Sequence, residues 1–369
     1  MREYCMRCLI SIPLLLMLTG CADMGYYWHS ARGHLAVMDK RVDIEDMLAD
    51  QSTRPELRER LVLVQEIRRF SVTRLELPEN NSYLSYVELE RPYLIQNLFA
   101  APEFSTRLQQ WCYPVIGCAS YRGYFDEARL LAYVEDLETS GLEVHVGKVS
   151  AYSTLGWFDD PVLSSFVNWP DYRLAGLLFH ELTHQQVYID GDTTFNESLA
   201  SAVQQVGTEL WLQSRGQADE LEELARWSRY RAEVIALIES TRARLGEIYE
   251  TENNDADKRE LKAGAFADAR DAHREIAARH GVTGGYSGWF AGELNNAKIG
   301  SVSAYNALTP AFINMIRAHG LDFSTFYAYV EAVGRLDKAE RDACLEAWSR
   351  QQGSGKSCPG MEAALATAS

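Results

Sequence analysis

His180-Glu181-Leu182-Thr183-His184 carries the strongest chemical signal in this 369-residue sequence. On a helix, residues four apart stand one above the other on the same face. Both imidazoles can then reach one metal ion, while Glu181 lies close enough to contact a water that the ion holds. This is the H-E-x-x-H arrangement of zinc hydrolases. The preceding Leu174, Ala175, Leu177, Leu178 and Phe179 are strongly apolar, so the helix expected from about Asp171 to Ile189 sets the pair beside a core. Two histidines and a glutamate are costly to bury there without a shared partner. One Zn2+ per chain supplies it, although other divalent metals also suit such donors.

A hydrolytic zinc has three protein ligands and one open position. Glu197, thirteen residues beyond His184, stands at the start of the next expected helix, about Asn196 to Ser214. The polar stretch Ile189-Asp190-Gly191-Asp192-Thr193-Thr194 is long enough to reverse the chain and bring Glu197 back to the metal. Asp190, Asp192 and Glu209 are the rival ligands. The first two sit in a turn where acidic residues are commonly solvated, and Glu209 lies three turns past Glu197.

The elements that position these residues can be read from periodicity. Residues 30–70 hold two or three helices, one starting near Pro55. Tyr83 to Tyr124 is aromatic, β-branched and broken by prolines, which suits short strands or hairpins. Asp126 to Ser140 is a helix stopped by Gly141, and an alternating strand follows from Leu142 to about Tyr152. Apolar positions at helical spacing between 218 and 280, interrupted at Glu252-Asn253-Asn254-Asp255, predict a long helical hairpin. Residues 281–300 read as irregular, and helices return after them. The expected fold class is mainly α with a small β-sheet, an α+β arrangement. No linker divides the mature chain, so residues 21–369 form one domain with the hairpin inserted after the metal-site helices.

The pair His180-Glu181-x-x-His184 and Asn196-Glu197 resembles the gluzincin metallopeptidases, whose third ligand is the Glu of an Asn-Glu motif. More specifically the chain is similar to a family of bacterial lipoproteins called predicted aminopeptidases. The matching segments are Trp111-Cys-Tyr-Pro-Val-Ile-Gly-Cys118, Tyr121-Arg-Gly-Tyr-Phe125, Leu178-Phe-His-Glu-Leu-Thr-His-Gln185, Phe195-Asn-Glu-Ser198 and Asn295-Asn-Ala297. The resemblance covers essentially the whole mature chain. It implies a zincin-like core, His180, His184 and Glu197 as metal ligands, and hydrolysis of peptide substrates from their amino termini in the manner of an aminopeptidase. The Gly-x-Met-Glu-Asn motif with which gluzincin aminopeptidases hold a free amine does not occur. Asp159 or Asp160 could bind an amine or cap the following turn.

At such a site Glu181 is the general base, taking a proton from water and passing it to the leaving amine. Tyr305 is the expected donor to the developing oxyanion, with Tyr286 next, and the strand near Val149 to Thr154 could pair with an extended peptide. His145 reads as a packed or surface residue of a strand, and His273, His280 and His319 lie on or beside charged helices. A second function class competes: a lipoprotein scaffold or chaperone-like binder that uses the hairpin as its contact surface. Its weakness is Glu181, since a structural zinc site has no use for a base. An envelope-assembly endoprotease is a third reading.

Composition narrows the setting. The formal charge of −16 opposes nucleic-acid binding and adsorption to anionic lipid. Arg2 and Arg7 precede a ten-residue apolar run, Leu9 to Leu18, too short to span a bilayer but right for a secretory signal. Leu18-Thr19-Gly20-Cys21 resembles the lipobox of bacterial lipoproteins, which implies removal of residues 1–20 and a lipidated Cys21 as membrane anchor. Ala22 follows the cysteine and Asp23 comes one later, which favours the outer membrane, facing the periplasm. Cleavage removes two Arg and one Glu, leaving 34 basic and 51 acidic residues and a charge of −17. The four cysteines remaining, Cys112, Cys118, Cys344 and Cys358, suit disulfides in an exported protein, most simply in the pairs 112–118 and 344–358.

Overall fold

The computed structural model describes residues 25–113, 117–151, 153–303, 308–350 and 358. The signal segment, Cys21, Tyr152 and Tyr305 lie outside the described residues. The chain begins with helix α1 (25–38), strand β1 (Val42–Asp43) and helices α2 (Ile44–Ala49) and α3 (Pro55–Leu75). Pro55 opens α3 at a position whose N–H has no helical partner in any case. Leu57, Leu61, Val64, Ile67 and Leu75 bury one stripe of it.

Strands β2 (Ser85–Val87), β3 (Ile95–Pro102), β4 (Trp111–Tyr113), β5 (Gly117–Ala119) and β6 (Arg122–Tyr124) follow. Next come α4 (Glu127–Thr139), capped by Asp126, then β7 (Leu142–Val149) and β8 (Val162–Leu163). These strands make more than one sheet. The order β6-β3-β7 is antiparallel throughout, with Ile95 opposite Val149 and Pro102 opposite Leu142. A second sheet has the order β1-β2-β8, with β2 and β8 parallel, and β4-β5 is a separate hairpin closed by the Cys112–Cys118 disulfide. Strand β7 ends at Val149, short of the expected Tyr152.

The expected metal helix is α5 (Asp171–Gln186), three residues shorter than its pattern implied, and α6 (Thr193–Ser214) starts three residues earlier than expected. The contacts between them descend in register: His184 meets Glu197, His180 meets Gln204, and Gly176 faces Thr208. The helices are therefore antiparallel. Two glycines permit their close approach. A Cβ at Gly176 would lie 3.0 Å from Thr208 Oγ1, and one at Gly207 would lie 2.7 Å from Leu75 Cδ1 and 3.0 Å from Phe179 Cδ2.

The hairpin is formed by α7 (Ala218–Glu250) and α8 (Asp255–His280), with Asn254 capping the second helix and Gly281 ending it at φ 61°. It has its own core, including Tyr230, Val234, Ile238, Leu245, Phe266 and Ile276. Lys262 binds Glu143 of β7 and the carbonyl of Glu103, and Arg259 reaches Glu103 at 2.6 and 2.9 Å, so the hairpin is bolted to the sheet. The stretch read as irregular contains the short helix α9 (Ser287–Ala291) and the start of α10 (Asn296–Ser303). Helices α11 (Thr309–Ala318), α12 (Phe323–Gly334) and α13 (Lys338–Ser349) close the main core with α3, α5 and α6. Cys344 pairs with Cys358, so both expected disulfides are present. The fold is mainly helical with small sheets, and no helix among the described residues is long and apolar enough to cross a membrane.

Candidate metal centre

The core stripe of α5 consists of Leu174, Ala175, Leu178, Phe179 and Leu182. At 100° per residue, His180 and His184 stand on the opposite side of the helix, where α6 rather than the main core covers them. Asp192 caps α6 by accepting the Phe195 N–H at 3.1 Å. Asn196 then fastens the turn: its Nδ2 donates to the Ile189 carbonyl and its Oδ1 accepts the Ile189 N–H, both at 2.8 Å. With the turn so fixed, the next residue, Glu197, faces the two histidines.

His180 Nε2 and His184 Nε2 are 3.3 Å apart. Glu197 Oε2 is 3.3 Å from His180 Nε2, and its Oε1 is 3.7 Å from His184 Nε2. Among the described residues this trio is the group of His, Cys, Asp or Glu close enough to hold one ion. Ligand atoms about 2.0–2.1 Å from a tetrahedral zinc stand about 3.3–3.4 Å from one another, so the spacing fits the donor set. Gln204 Oε1 lies 3.2 Å from His180 Nδ1, which favours the tautomer with its proton at Nδ1 and leaves Nε2 free to ligate. His184 Nδ1 is buried and meets no partner among the described residues. The His180 and Glu197 side chains keep 16% and 23% of their surface exposed, so the trio is open to solvent on one side.

The charges at the site are coupled. Burial lowers the His180 pKa, but the Glu197 hydrogen bond and charge, with Glu181, outweigh it and leave the imidazole raised. Burial raises Glu197, yet the bond to His180 and the two imidazoles hold its carboxyl below the usual range. His184 is pushed down to about 4 by burial and then by His180. An ionised Glu197 and a neutral His184 are the forms in which these side chains ligate a metal. Glu181 is buried on the same helix, and burial, reinforced by Glu197 and Asp160 against the opposing pull of His180, raises its carboxyl to about 7.

Among the described residues the rival ligands do not join the trio. Asp192 is the α6 cap and pairs with Arg341 of α13 at 2.8 Å, Glu209 lies 3.6 Å from Arg317, and Asp190 is exposed in the turn. Asp160 is buried and accepts the Thr154 N–H at 3.0 Å and the Gln185 amide at 3.2 Å, which makes it a lock for the 153–160 loop. Asp159 accepts a long bond from Asn81 at 3.4 Å. Tyr286 packs in the hairpin core against Tyr230 and Trp289. The Asn295-Asn296 pair is structural: Asn295 binds the Val144 carbonyl, and Asn296 binds the carbonyls of Pro102 and Glu103.

Sequence reasoning missed two tyrosines. Tyr121, just before β6 and packed on Phe99 at 5.9 Å, has its phenol pushed up by burial and by the nearby charges of Glu197 and Glu181. Tyr188, after α5, is raised by burial, Asp190 and Glu197. Tyr121 stands in a quoted motif, and its place next to β6 packs it on Phe99 of β3.

No curated protein and no solved structure matches the chain. The family described as "Putative aminopeptidase" has a model that matches residues 25–345, most of the sequence, and the chain belongs to that family.

Proposed function

We propose that this protein is a zinc-dependent peptidase, anchored by lipid at Cys21 to the periplasmic face of the outer membrane, that hydrolyses peptides and is suited to act as an aminopeptidase. The observation that carries this reading is the trio His180, His184 and Glu197 at zinc-ligand spacing beside the buried Glu181. The family's description supports peptide hydrolysis. A zinc ion held by the trio supplies Lewis acidity toward a carbonyl oxygen and lowers the pKa of water.

The chain's own residues do the rest. Glu181, with its carboxyl near neutrality, takes the proton of the attacking water and returns it to the departing amine nitrogen. Gln204 orients His180 through Nδ1. Tyr121 is the described phenol that shares the neighbourhood of Glu197 and Glu181, so its hydroxyl is the proposed donor to the carbonyl oxygen as that oxygen gains charge. Tyr305 remains a proposal from sequence.

The test is metal content and hydrolysis of peptides with free and blocked amino termini, measured on the full chain. Wild type should hold one zinc and cleave. Glu181→Gln should keep the zinc and lose cleavage, and His184→Ala should lose both. Wild-type cleavage by Glu181→Gln would refute the mechanism.

A further inference from the structure

Helix α1 exposes the wrong side for a helix that faces water. Its exposed positions from 27 to 36 are Tyr27, Trp28, Ala31, Arg32, Leu35 and Ala36, five apolar residues and one arginine. At 100° per residue these fill one half of the helix, with Trp28 and Leu35 near its centre and Arg32 to one side. Trp28 is 67% exposed and Leu35 52%. Surface helices ordinarily turn such a stripe inward.

A second apolar feature adjoins it. The turn at 153–160 carries Trp157, 79% exposed, and Phe158, 46% exposed. This turn is built to hold them outward: Thr154 Oγ1 bonds both the N–H and the carbonyl of Phe158, Trp157 N–H reaches the Thr154 carbonyl at 3.1 Å, and Asp160 grips the Thr154 N–H. The Phe158 ring lies 4.6 Å from the His34 ring on α1, and Arg41 donates to the Asp159 carbonyl at 3.2 Å. Turn and helix are therefore neighbours, and each leaves apolar side chains exposed. Tyr27, Trp28, Leu35, Trp157 and Phe158 are five of the twelve large apolar side chains exposed among the described residues, gathered from two short segments.

We propose that this face lies in the headgroup region of a zwitterionic lipid bilayer. The proposal rests on the lipid-anchor reading, because α1 starts four residues after Cys21. Four residues span at most about 14 Å, so an acylated Cys21 keeps the start of α1 at the membrane. Tryptophan and tyrosine favour the headgroup level, and Arg32 can extend its head to water from beneath its own stem. A mature charge of −17 is repelled by anionic lipid, so contact with the bilayer comes from apolar and aromatic surface.

The test uses the full lipidated chain reconstituted in phosphatidylcholine vesicles with and without bromine on the acyl chains. Trp28 and Trp157 are two of eight tryptophans, so brominated lipid should quench about a quarter of the emission. Trp28→Ser combined with Trp157→Ser should abolish most of that quenching, and Leu35→Lys, which leaves all eight tryptophans in place, should reduce it. Flotation with vesicles and mass measurement of the amino-terminal peptide report the anchor separately. An acylated protein that floats without quenching, or quenching unchanged in the double variant, overturns the docking face while the anchor stands. Quenching of a chain found unacylated overturns the anchor and leaves the face. Self-association that is lost in the double variant, with no quenching in wild type, would assign the face to a second copy and overturn the lipid assignment.

Discussion

Replacing Asn196 by alanine removes both hydrogen bonds that fasten the turn between α5 and α6. The Ile189 carbonyl still accepts the Asp192 N–H at 3.2 Å, so its loss is only partial. The Ile189 N–H loses its acceptor. One orphaned donor in a part-buried turn and one weakened acceptor amount to about 2 kcal/mol, toward the lower end for such groups because solvent reaches the turn. The same change frees the residue that precedes Glu197. Groups that orient a metal ligand typically contribute 10–100-fold to metal affinity, and that is the loss expected here. Urea unfolding of the metal-free protein measures the first effect, and competition with a chromophoric chelator measures the second. Glu197→Gln is the matched control, since it removes the ligand charge and leaves both Asn196 bonds in place. It should lose zinc affinity, and in the metal-free protein it forfeits only the pairing with His180. If Asn196→Ala keeps both its stability and its zinc affinity, the turn does not position Glu197 and the reasoning fails.

Tyr121→Phe should keep zinc and lower kcat by about 10²–10³-fold, the range for removing one oxyanion donor, and an unchanged kcat would exclude the phenol from the reaction. Asp192→Asn should retain the α6 cap but leave the Arg341 guanidinium without its buried partner, at a cost of about 3 kcal/mol measured by denaturation. Burial raises the Asp192 carboxyl, but the Phe195 N–H, Arg341 and Lys338 outweigh it and hold it low. A carboxyl held low in the folded state contributes fully above its unfolded pKa and loses that contribution as pH falls through the folded one. The stability gap between wild type and Asp192→Asn should therefore be constant near neutrality and close below about pH 4, and a gap that persists in acid would contradict the pair's role.

What could be read from sequence was local. The α7–α8 hairpin, the helices carrying His180, His184 and Glu197, and both disulfides follow from periodicity and short spacing. Asn295 was legible in principle as a helix cap, since its side chain accepts the Lys298 N–H at 2.8 Å at the start of α10, yet the stretch was read as irregular. The separate sheets were not legible. Strand β8 pairs with β2 across some 75 residues, and two-residue strands carry no alternation to detect. Tyr121 was missed for the same reason, because the burial of its phenol against Phe99 depends on strand pairing that the sequence does not show. The outward apolar face of α1 was missed because periodicity finds a stripe without saying which way it turns.

The close approach of α5 and α6 at Gly176 and Gly207 has a consequence for ion size. A side chain at Gly176 would meet Thr208 and Gln204, and one at Gly207 would meet Leu75 and Phe179, so the two glycines let the helices pack this closely. This packing holds α5 and α6 at the spacing that brings His180, His184 and Glu197 together. Calcium prefers about 6–8 oxygen donors at about 2.3–2.6 Å, and to admit it the helices would have to be levered apart against packed side chains. A small tetrahedral ion asks for no such movement. If the trio holds a metal, the two glycines therefore help to set the space left for it, and a side chain at Gly176 would press on Gln204, the residue that meets His180.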